Sequence, residues 1–468
     1  MSKYLMIDFG STYTKLTAVD TEKEDVIGTS ASFTTVATDI TIGYYKALDE
    51  LYKKIGGEIK FDKTIACSSA AGGLKMCAIG LVEELTVEAA KRVCLGAGAK
   101  VDLVFSHHIT KHEVEEIKDK NIDIILLAGG TDGGNSECVI YNAKILAESN
   151  LNIPIVFAGN KCASDEIEGI FKKYNVNGYI CDNVMPNINK LNLPSARDKI
   201  REIFLTNIIE AKGIKKIEKA IDKVILPTPE AVLDASELLS KGYMHEAGLG
   251  EIVLVDIGGA TTDFYSMSSP SARRSDVVVK GLEEPYAKRT VEGDLGMRYS
   301  ALGIAASLTQ EEKRVFYEDE GIDIDSEAKF RREHVDVVFT DEREKDIDMV
   351  FAGICSDKAI SRHVGIMEEI YSPVGTLYNQ YGKDLSQIRY VIGTGGILVR
   401  TENPIVALKR VMYTRSHPLE LRPINPQFMI DKDYLLASMG LLSRIDPLLA
   451  LKIMKKHVVE TFDKYDDK

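Results

Sequence analysis

Apolar residues near the N-terminus fall into two short runs, Tyr4–Ile7 and Leu16–Val19, around Asp8-Phe9-Gly10-Ser11-Thr12-Tyr13-Thr14-Lys15. Two such runs flanking a small, hydroxyl-rich turn predict a β-hairpin. Residues 40–56 then repeat apolar positions at helical spacing. From 61 to 182 the pattern alternates: strands are predicted at 63–67, 101–105, 122–128, 153–158 and 176–181, and helices at 75–92, 110–120, 136–149 and 163–174. Two helix starts carry capping signals, Thr110 ahead of Glu113 and Ser164 ahead of Ile167 with acids between. The alternation predicts an α/β unit with parallel strands. Residues 196–223 predict an amphipathic helical pair, after which Pro227 and Pro229 close a strand and admit a helix over 230–241. In the second half, Ile252–Val255 is a strand ending at Asp256, 309–360 is charged and helical, and Tyr390–Ile392 is a strand ending at Gly393. Residues 431–445 predict a helix, and the charged tail from Lys455 is expected to fray.

One local pattern occurs twice. Residues 5–15, LMIDFGSTYTK, align on the Asp with residues 253–263, VLVDIGGATTD. Asp8 matches Asp256, Gly10 matches Gly258, Thr14 matches Thr262, and Lys15 stands opposite Asp263. A strand holds the Asp in place, and the Gly lets the backbone turn and approach a phosphate. Successive N–H groups and the hydroxyls of Ser11, Thr12 and Thr261 then face phosphate oxygens. Lys15 adds a cation for terminal phosphates. Asp8 and Asp256 suit magnesium, an ion that keeps much of its water. Each copy alone is also an ordinary polar hairpin turn; two copies in register favour a triphosphate clamp. A third element, YVIGTGGILV at 390–399, places Gly393-Thr394-Gly395-Gly396 after a strand, where bare backbone admits a flat nucleoside.

Bulk properties set the frame. A chain of 468 residues predicts about two to three domains, and 45% hydrophobic with 28% charged content is globular. The net charge of -13 opposes non-specific nucleic-acid binding. Seven scattered cysteines without a CxxC pair read as reduced thiols. No apolar run approaches the roughly 20 residues of a membrane span, and the N-terminus carries no signal-peptide pattern. The expectation is a cytoplasmic protein with no nucleic-acid or membrane partner.

The three elements, in this order, resemble the phosphate-1, phosphate-2 and adenosine motifs of the actin, sugar-kinase and heat-shock-chaperone superfamily, from residue 4 to about 445. The resemblance implies an α/β, actin-like ATPase fold with two duplicated ribonuclease-H-like domains, 1–245 and 246–468. It places an α/β insertion at about 61–182 in the first and a helical one at about 305–365 in the second. It implies ATP or ADP with Mg2+ as cofactors, Asp8, Asp256 and Lys15 as catalytic residues, and Asp8 and Asp256 as metal-binding. Gly10, Ser11, Thr12, Thr14, Lys15, Gly258, Gly259, Thr261, Thr262, Asp263, Gly393, Thr394, Gly395 and Gly396 would hold the nucleotide. Thr290–Arg298 resembles a nucleotide-contacting helix start, adding Gly293 and Asp294. The helix around Asp433, Ala437 and Gly440 resembles the closing helix. Pro227–Leu233 resembles the first connecting segment; the chaperone branch has a catalytic Glu there, and here Glu230 lies beside a proline near that position.

Segments at 67–82, 125–135, 156–160 and 290–301 are similar to one branch, the glutamate mutase L (MutL) family, which is distinct from the mismatch-repair protein of the same name. That resemblance implies an ATP-dependent chaperone that reactivates adenosylcobalamin-dependent mutases, whose subunits would be its partners. A small-molecule kinase with the same cleft, and an ATP-driven activator of a radical enzyme, are the alternatives. Among weaker features, Gly129–Gly134 and Gly72-Gly73 read as phosphate or partner loops or, more simply, as strand-to-helix turns. His107, His108 and His112 read as surface histidines rather than metal ligands.

Overall fold

The computed structural model of the chain describes residues 2–10, 12–35, 39–69, 74–211, 221–372 and 375–461. The first apolar runs form an antiparallel meander of β1 (Lys3–Phe9), β2 (Tyr13–Asp20) and β3 (Asp25–Phe33). Helix α1 (Ile40–Ile55) lies on it, capped by Asp39 and ended by Gly56 at φ 85°. β4 (Lys63–Ser68), read from sequence as part of the inserted unit, instead pairs parallel with β1.

The inserted unit begins at β5 (Lys75–Gly80) and continues through α2 (Glu88–Gly96), β6 (Lys100–Ser106), α3 (Lys111–Asp119) and β7 (Ile124–Leu127). It closes with α4 (Glu137–Glu148), β8 (Ile155–Phe157), α5 (Ser164–Lys173), β9 (Gly178–Ile180) and α6 (Pro194–Ala211). All five strands are parallel, in the order β6-β5-β7-β8-β9. This is a doubly wound sheet, with α2 and α6 packed on one face and α3, α4 and α5 on the other. The helix predicted over 75–92 is thereby corrected: Lys75–Gly80 is the strand beside the middle of this sheet, and α2 starts at Glu88. Met76–Gly80 is buried throughout. A strand covered on both faces shows no alternation, so its apolar run does not separate strand from helix.

β10 (Lys223–Pro227) returns to the first sheet, whose order is β10-β4-β1-β2-β3. The second helix expected within 196–223 falls on 212–220, outside the described residues. Helix α7 (Thr228–Lys241) and the small hairpin β11 (Gly242–Tyr243) and β12 (Glu246–Ala247) lead to the second half.

There β13 (Ile252–Ile257) and β14 (Thr262–Met267) repeat the hairpin, followed by β15 (Val277–Lys280) and β16 (Ala287–Glu292). Helices α8 (Ala301–Ala306), α9 (Gln310–Glu320), α10 (Ile324–Glu333) and α11 (Glu342–His363) form the charged helical region. β17 (Ile366–Ser372) and β18 (Gly375–Tyr381) make a side sheet with β15. β19 (Tyr390–Thr394), α12 (Gly396–Arg400), α13 (Ile405–Leu408), β20 (Gln427–Asp431), α14 (Leu436–Ser443), α15 (Pro447–His457) and β21 (Val458–Glu460) complete the chain. The main sheet runs β16-β14-β13-β19-β20-β21. Three further expectations change. Thr290 lies in β16 rather than at a helix start, and α8 begins only at Ala301. Asp431 ends a strand, so the closing helix starts at Leu436. Lys455–Glu460 is ordered by α15 and by β21 pairing with β20.

The two main sheets match strand for strand. β3-β2-β1-β4-β10 and β16-β14-β13-β19-β20 each carry two antiparallel pairings followed by two parallel ones. This repeated order is the duplicated, ribonuclease-H-like arrangement of the actin-like fold. A core shared by both halves joins Met6 and Ile65 to Leu254, Ile392 and Met439. Here α7 meets α14 backbone to backbone: a Cβ at Gly440 would stand 1.8 Å from Ala231 O.

Candidate functional site

The two hairpin turns face each other across a cleft of about 1130 Å3. They are built alike. Gly10 N–H donates to Tyr13 O at 3.1 Å, and Gly258 N–H donates to Thr261 O at 2.9 Å. A Cβ at Gly10 would stand 2.6 Å from Tyr13 O, which excludes a side chain there, and one at Gly258 would stand 3.0 Å from Thr261 O, a tight contact. In register, Asp8 lies opposite Lys15, and Asp256 opposite Asp263.

Asp8 is buried at the end of β1. Thr228 Oγ1 donates to its Oδ1 at 2.7 Å, Cys67 Sγ lies 3.6 Å from that same oxygen, and Lys15 Nζ lies 3.5 Å from Oδ2. The Lys15 ammonium also sits 3.4 Å above the ring centre of Tyr434, which reaches in from the second half with φ 56°. Burial disfavours this ammonium, yet Tyr434 and Asp8 outweigh it and hold the pKa above the usual lysine range. Asp256 behaves oppositely. Burial, reinforced by the nearby Asp263 carboxylate, pushes its pKa up to about 7. Asp431 and Asp8 add repulsion, and Lys15 only partly offsets it. Asp263 is paired: Arg289 Nε donates to its Oδ1 at 2.8 Å, and Thr261 Oγ1 to its Oδ2 at 3.2 Å.

The cleft wall includes Asp8, Gly10, Thr12, Lys15, Asp256, Gly258, Gly259, Thr261, Asp263 and Gly396 from the sequence reading. The other residues of that reading lie behind the wall. Thr14 Oγ1 is 3.1 Å from Thr34 Oγ1, and Thr262 Oγ1 donates to Leu295 O at 2.6 Å. Thr394 Oγ1 donates to Asp431 Oδ2 at 3.0 Å. Gly393 packs under Leu408 and Ile430, and Gly395, at φ 100°, lies against Ile257. Gly293 is pressed by Lys100, and Asp294 is taken by Arg362 at 2.7 Å, so neither reaches the cleft. Ser11, Gly72 and Gly73 lie outside the described residues.

Several residues beyond the named candidates enter the site, two of them from the 290–301 segment. Arg298 and Tyr299 line the cleft because their N–H groups donate to Gly259 O at 2.9 and 2.8 Å, folding the segment after β16 onto the turn. Phe339 and Asn403 line the far end. Thr228 carried a local signal, its place between two prolines at the start of a helix. Asp431 carried none: it is fully buried, with Leu435 N–H at 2.8 Å and Leu436 N–H at 3.2 Å donating to it, and so fixes the loop that presents Tyr434. Glu230, beside the position of the chaperone-branch base, is buried in ion pairs with Arg201 and with Arg444 at 3.6 Å, away from the cleft. The turn at Gly129–Gly134 spends backbone N–H groups on neighbouring segments: Gly133 N–H donates to the side chain of buried Asn160 at 3.1 Å, and Asp132 N–H to Pro186 O at 3.0 Å.

Comparison with known proteins gives these features a family. The solved structures it resembles include component A of (R)-2-hydroxyglutaryl-CoA dehydratase from Acidaminococcus fermentans, at 9% identity and a TM-score of 0.30, covering 98% of this chain and 99% of that one. Glycerol kinase from Plasmodium falciparum, with ADP, is similar at 12% identity and a TM-score of 0.35, covering 100% and 95%. Protein MutL from Clostridium tetanomorphum is 49% identical over 461 residues, covering 98% of this chain and 100% of that protein. The family model described as MutL protein matches residues 4–458. Matched over nearly its whole length, the chain belongs to the MutL protein family.

Proposed function

We propose that this chain binds ATP with magnesium between its two halves, hydrolyses it, and uses the cycle to reactivate or assemble an adenosylcobalamin-dependent mutase of the glutamate mutase or aminomutase type. The observation that carries the nucleotide part is the pair of like-built hairpins, with Asp8, Lys15 and Asp256 between them in one cleft. Gly10 and Gly258 let bare backbone approach phosphates from both sides. Lys15 neutralises terminal phosphate charge once it leaves the Tyr434 ring. The crowded carboxylates fit a divalent cation: burial and the neighbouring carboxylates disfavour the Asp256 anion, and positive charge beside it would offset both. Bound magnesium supplies that charge and keeps most of its own water. Thr228 fixes the Asp8 carboxylate for this task. The flat side of a nucleoside fits Gly396 and the wall of Arg298 and Phe339, whose guanidinium and ring are 5.1 Å apart.

The family supports a mutase as the client: MutL is the name of the 49% identical relative, and the glutamate mutase L resemblance implies a mutase partner. A cleft that closes on ATP and opens after hydrolysis is a two-state element, and different affinities of its states for the mutase would shift the client between forms. The confinement of Glu230 by Arg201 leaves the kinase alternative without that base.

Phosphate release measured with and without an adenosylcobalamin-dependent mutase tests this reading. Mutase-stimulated release is expected, together with a loss of about 100-fold or more in Asp8→Ala and Asp256→Ala. Normal turnover in either variant would remove the two-hairpin site. Pull-downs of the mutase that ignore ATP, ADP and their absence would remove the chaperone role.

A further inference from the structure

The inserted sheet does more than hang from the first half. Its helix α2 packs against β16 of the second half, where two arginines cross between them. Arg92 of α2 lies 3.3 Å from Glu284 and donates to the Leu282 carbonyl at 3.4 Å. Arg289 of β16 points the other way. Its Nη1 donates to Leu95 O and to Ala99 O, both at 3.0 Å, at the C-terminal end of α2. Carbonyls at a helix C-terminus carry partial negative charge and suit a guanidinium. The same guanidinium holds Asp263, with Nε at 2.8 Å and Nη2 at 2.6 Å from Oδ1. Arg289 and Asp263 are only 6% and 8% exposed, so this bridge is shielded from water and salt. One side chain therefore joins a carboxylate on the cleft wall to the end of a helix in a separate sheet.

We propose that Arg289 is a positioning residue that transmits the nucleotide state from Asp263 to α2 of the inserted sheet. The inference rests on the nucleotide reading above. Phosphate and its cation change the charge facing Asp263. Asp263 shares one oxygen between two guanidinium nitrogens, so its movement redraws the bonds to Leu95 and Ala99. A planar, forked guanidinium serves both sides at once, whereas a lysine ammonium does not keep the same geometry. Coupling of this kind is reciprocal: a partner that grips α2 must change nucleotide affinity by the factor by which nucleotide changes its own.

Amide hydrogen exchange on the full chain, with and without ATP and magnesium, tests the proposal. In the wild-type chain, exchange in residues 95–100 should change at least about twofold on binding, while α3, on the far face of the inserted sheet, should not. Arg289→Lys should still bind nucleotide in calorimetry but lose at least half of the response at 95–100. Arg92→Ala, which removes the neighbouring contact without touching Asp263, should retain it. Should Arg289→Lys not fold, the wild-type response at 95–100 against that of α3, with Arg92→Ala as the comparison, still decides the inference. Bound nucleotide with unchanged exchange at 95–100 in the wild type overturns the inference alone, as does an equal response in Arg289→Lys or an equal loss in Arg92→Ala. A wild-type chain that binds no nucleotide in calorimetry overturns the nucleotide reading, and this inference with it.

Discussion

Asp256 and Asp8 occupy equivalent positions, yet their surroundings differ. Thr228 and Lys15 attend Asp8, whereas burial and the carboxylates of Asp263, Asp431 and Asp8 crowd Asp256 and raise it to about 7. Because its folded pKa lies above its unfolded value, folding takes up a proton. The nucleotide-free protein should therefore be most favoured below the unfolded pKa, near 4, and lose stability as pH rises through about 7. Asp256→Asn removes this titration. Denaturant melts should show the variant gaining on the wild type by about 1–3 kcal/mol between pH ~4 and ~8; a constant gap across that range would contradict the argument. Two glycines in the same site make an opposite pair. A Cβ at Gly10 meets backbone at 2.6 Å, while one at Gly396 meets nothing within 4 Å. Gly10→Ala should cost about 1–3 kcal/mol and at least about tenfold in nucleotide affinity, whereas Gly396→Ala should change stability by less than about 0.5 kcal/mol.

At the scale of elements, the helical region is knitted through one buried arginine. Arg331 of α10, with no exposed surface, pairs with Glu327 at 2.6 Å, Glu344 at 3.1 Å and Asp348 at 2.8 Å, the last two on α11. Asp348 in turn takes Arg298 from the cleft wall at 2.7 Å. Arg331→Met strands Asp348 with one partner and should destabilise the protein by about 3–5 kcal/mol, visible as a lower melting temperature and weaker nucleotide binding. Elements were legible where their signal was local. The hairpins announced themselves within a few residues, as apolar run, Asp and Gly, and so did the capped start of α3 at Thr110. The sequence reading passed over β3 and β16, whose small and polar residues dilute any alternation, and it took β5 for helix because both its faces are covered. Tyr434 and Arg289 became visible only in the fold, because the groups they serve lie far away along the chain: Lys15 for Tyr434, and Leu95 for Arg289. The family, in contrast, was legible from four short glycine-rich segments, and the match over residues 4–458 bears that out.

Across the whole molecule, the two halves are also clipped at the rear of the cleft. Protonated His457 of α15 donates Nδ1–H to Asp433 at 2.6 Å, beside the loop of Tyr434, and Nε2–H to Asp25 at 3.0 Å at the start of β3. Burial pulls its pKa down, but the hydrogen bonds to Asp25 and Asp433 outweigh this and raise it above the ordinary value of 6.5. The clip therefore stabilises fully below about 6.5 and fades as pH rises through the raised pKa. Thermal melts of wild type and His457→Gln should differ most in mildly acidic buffer and converge in alkaline buffer; a difference that grew with pH would refute the clip.

The contact of α7 with α14 at Gly440 has a mechanical meaning. No side chain cushions it, since Ala231 O stands where a Cβ would be. The nucleotide cycle proposed above would turn the halves about this close contact rather than slide them across it. Points near a pivot travel little and distant points travel far. In that proposed cycle small displacements at the cleft become larger ones at elements far from this contact, and a residue larger than glycine at 440 would push α7 and α14 apart.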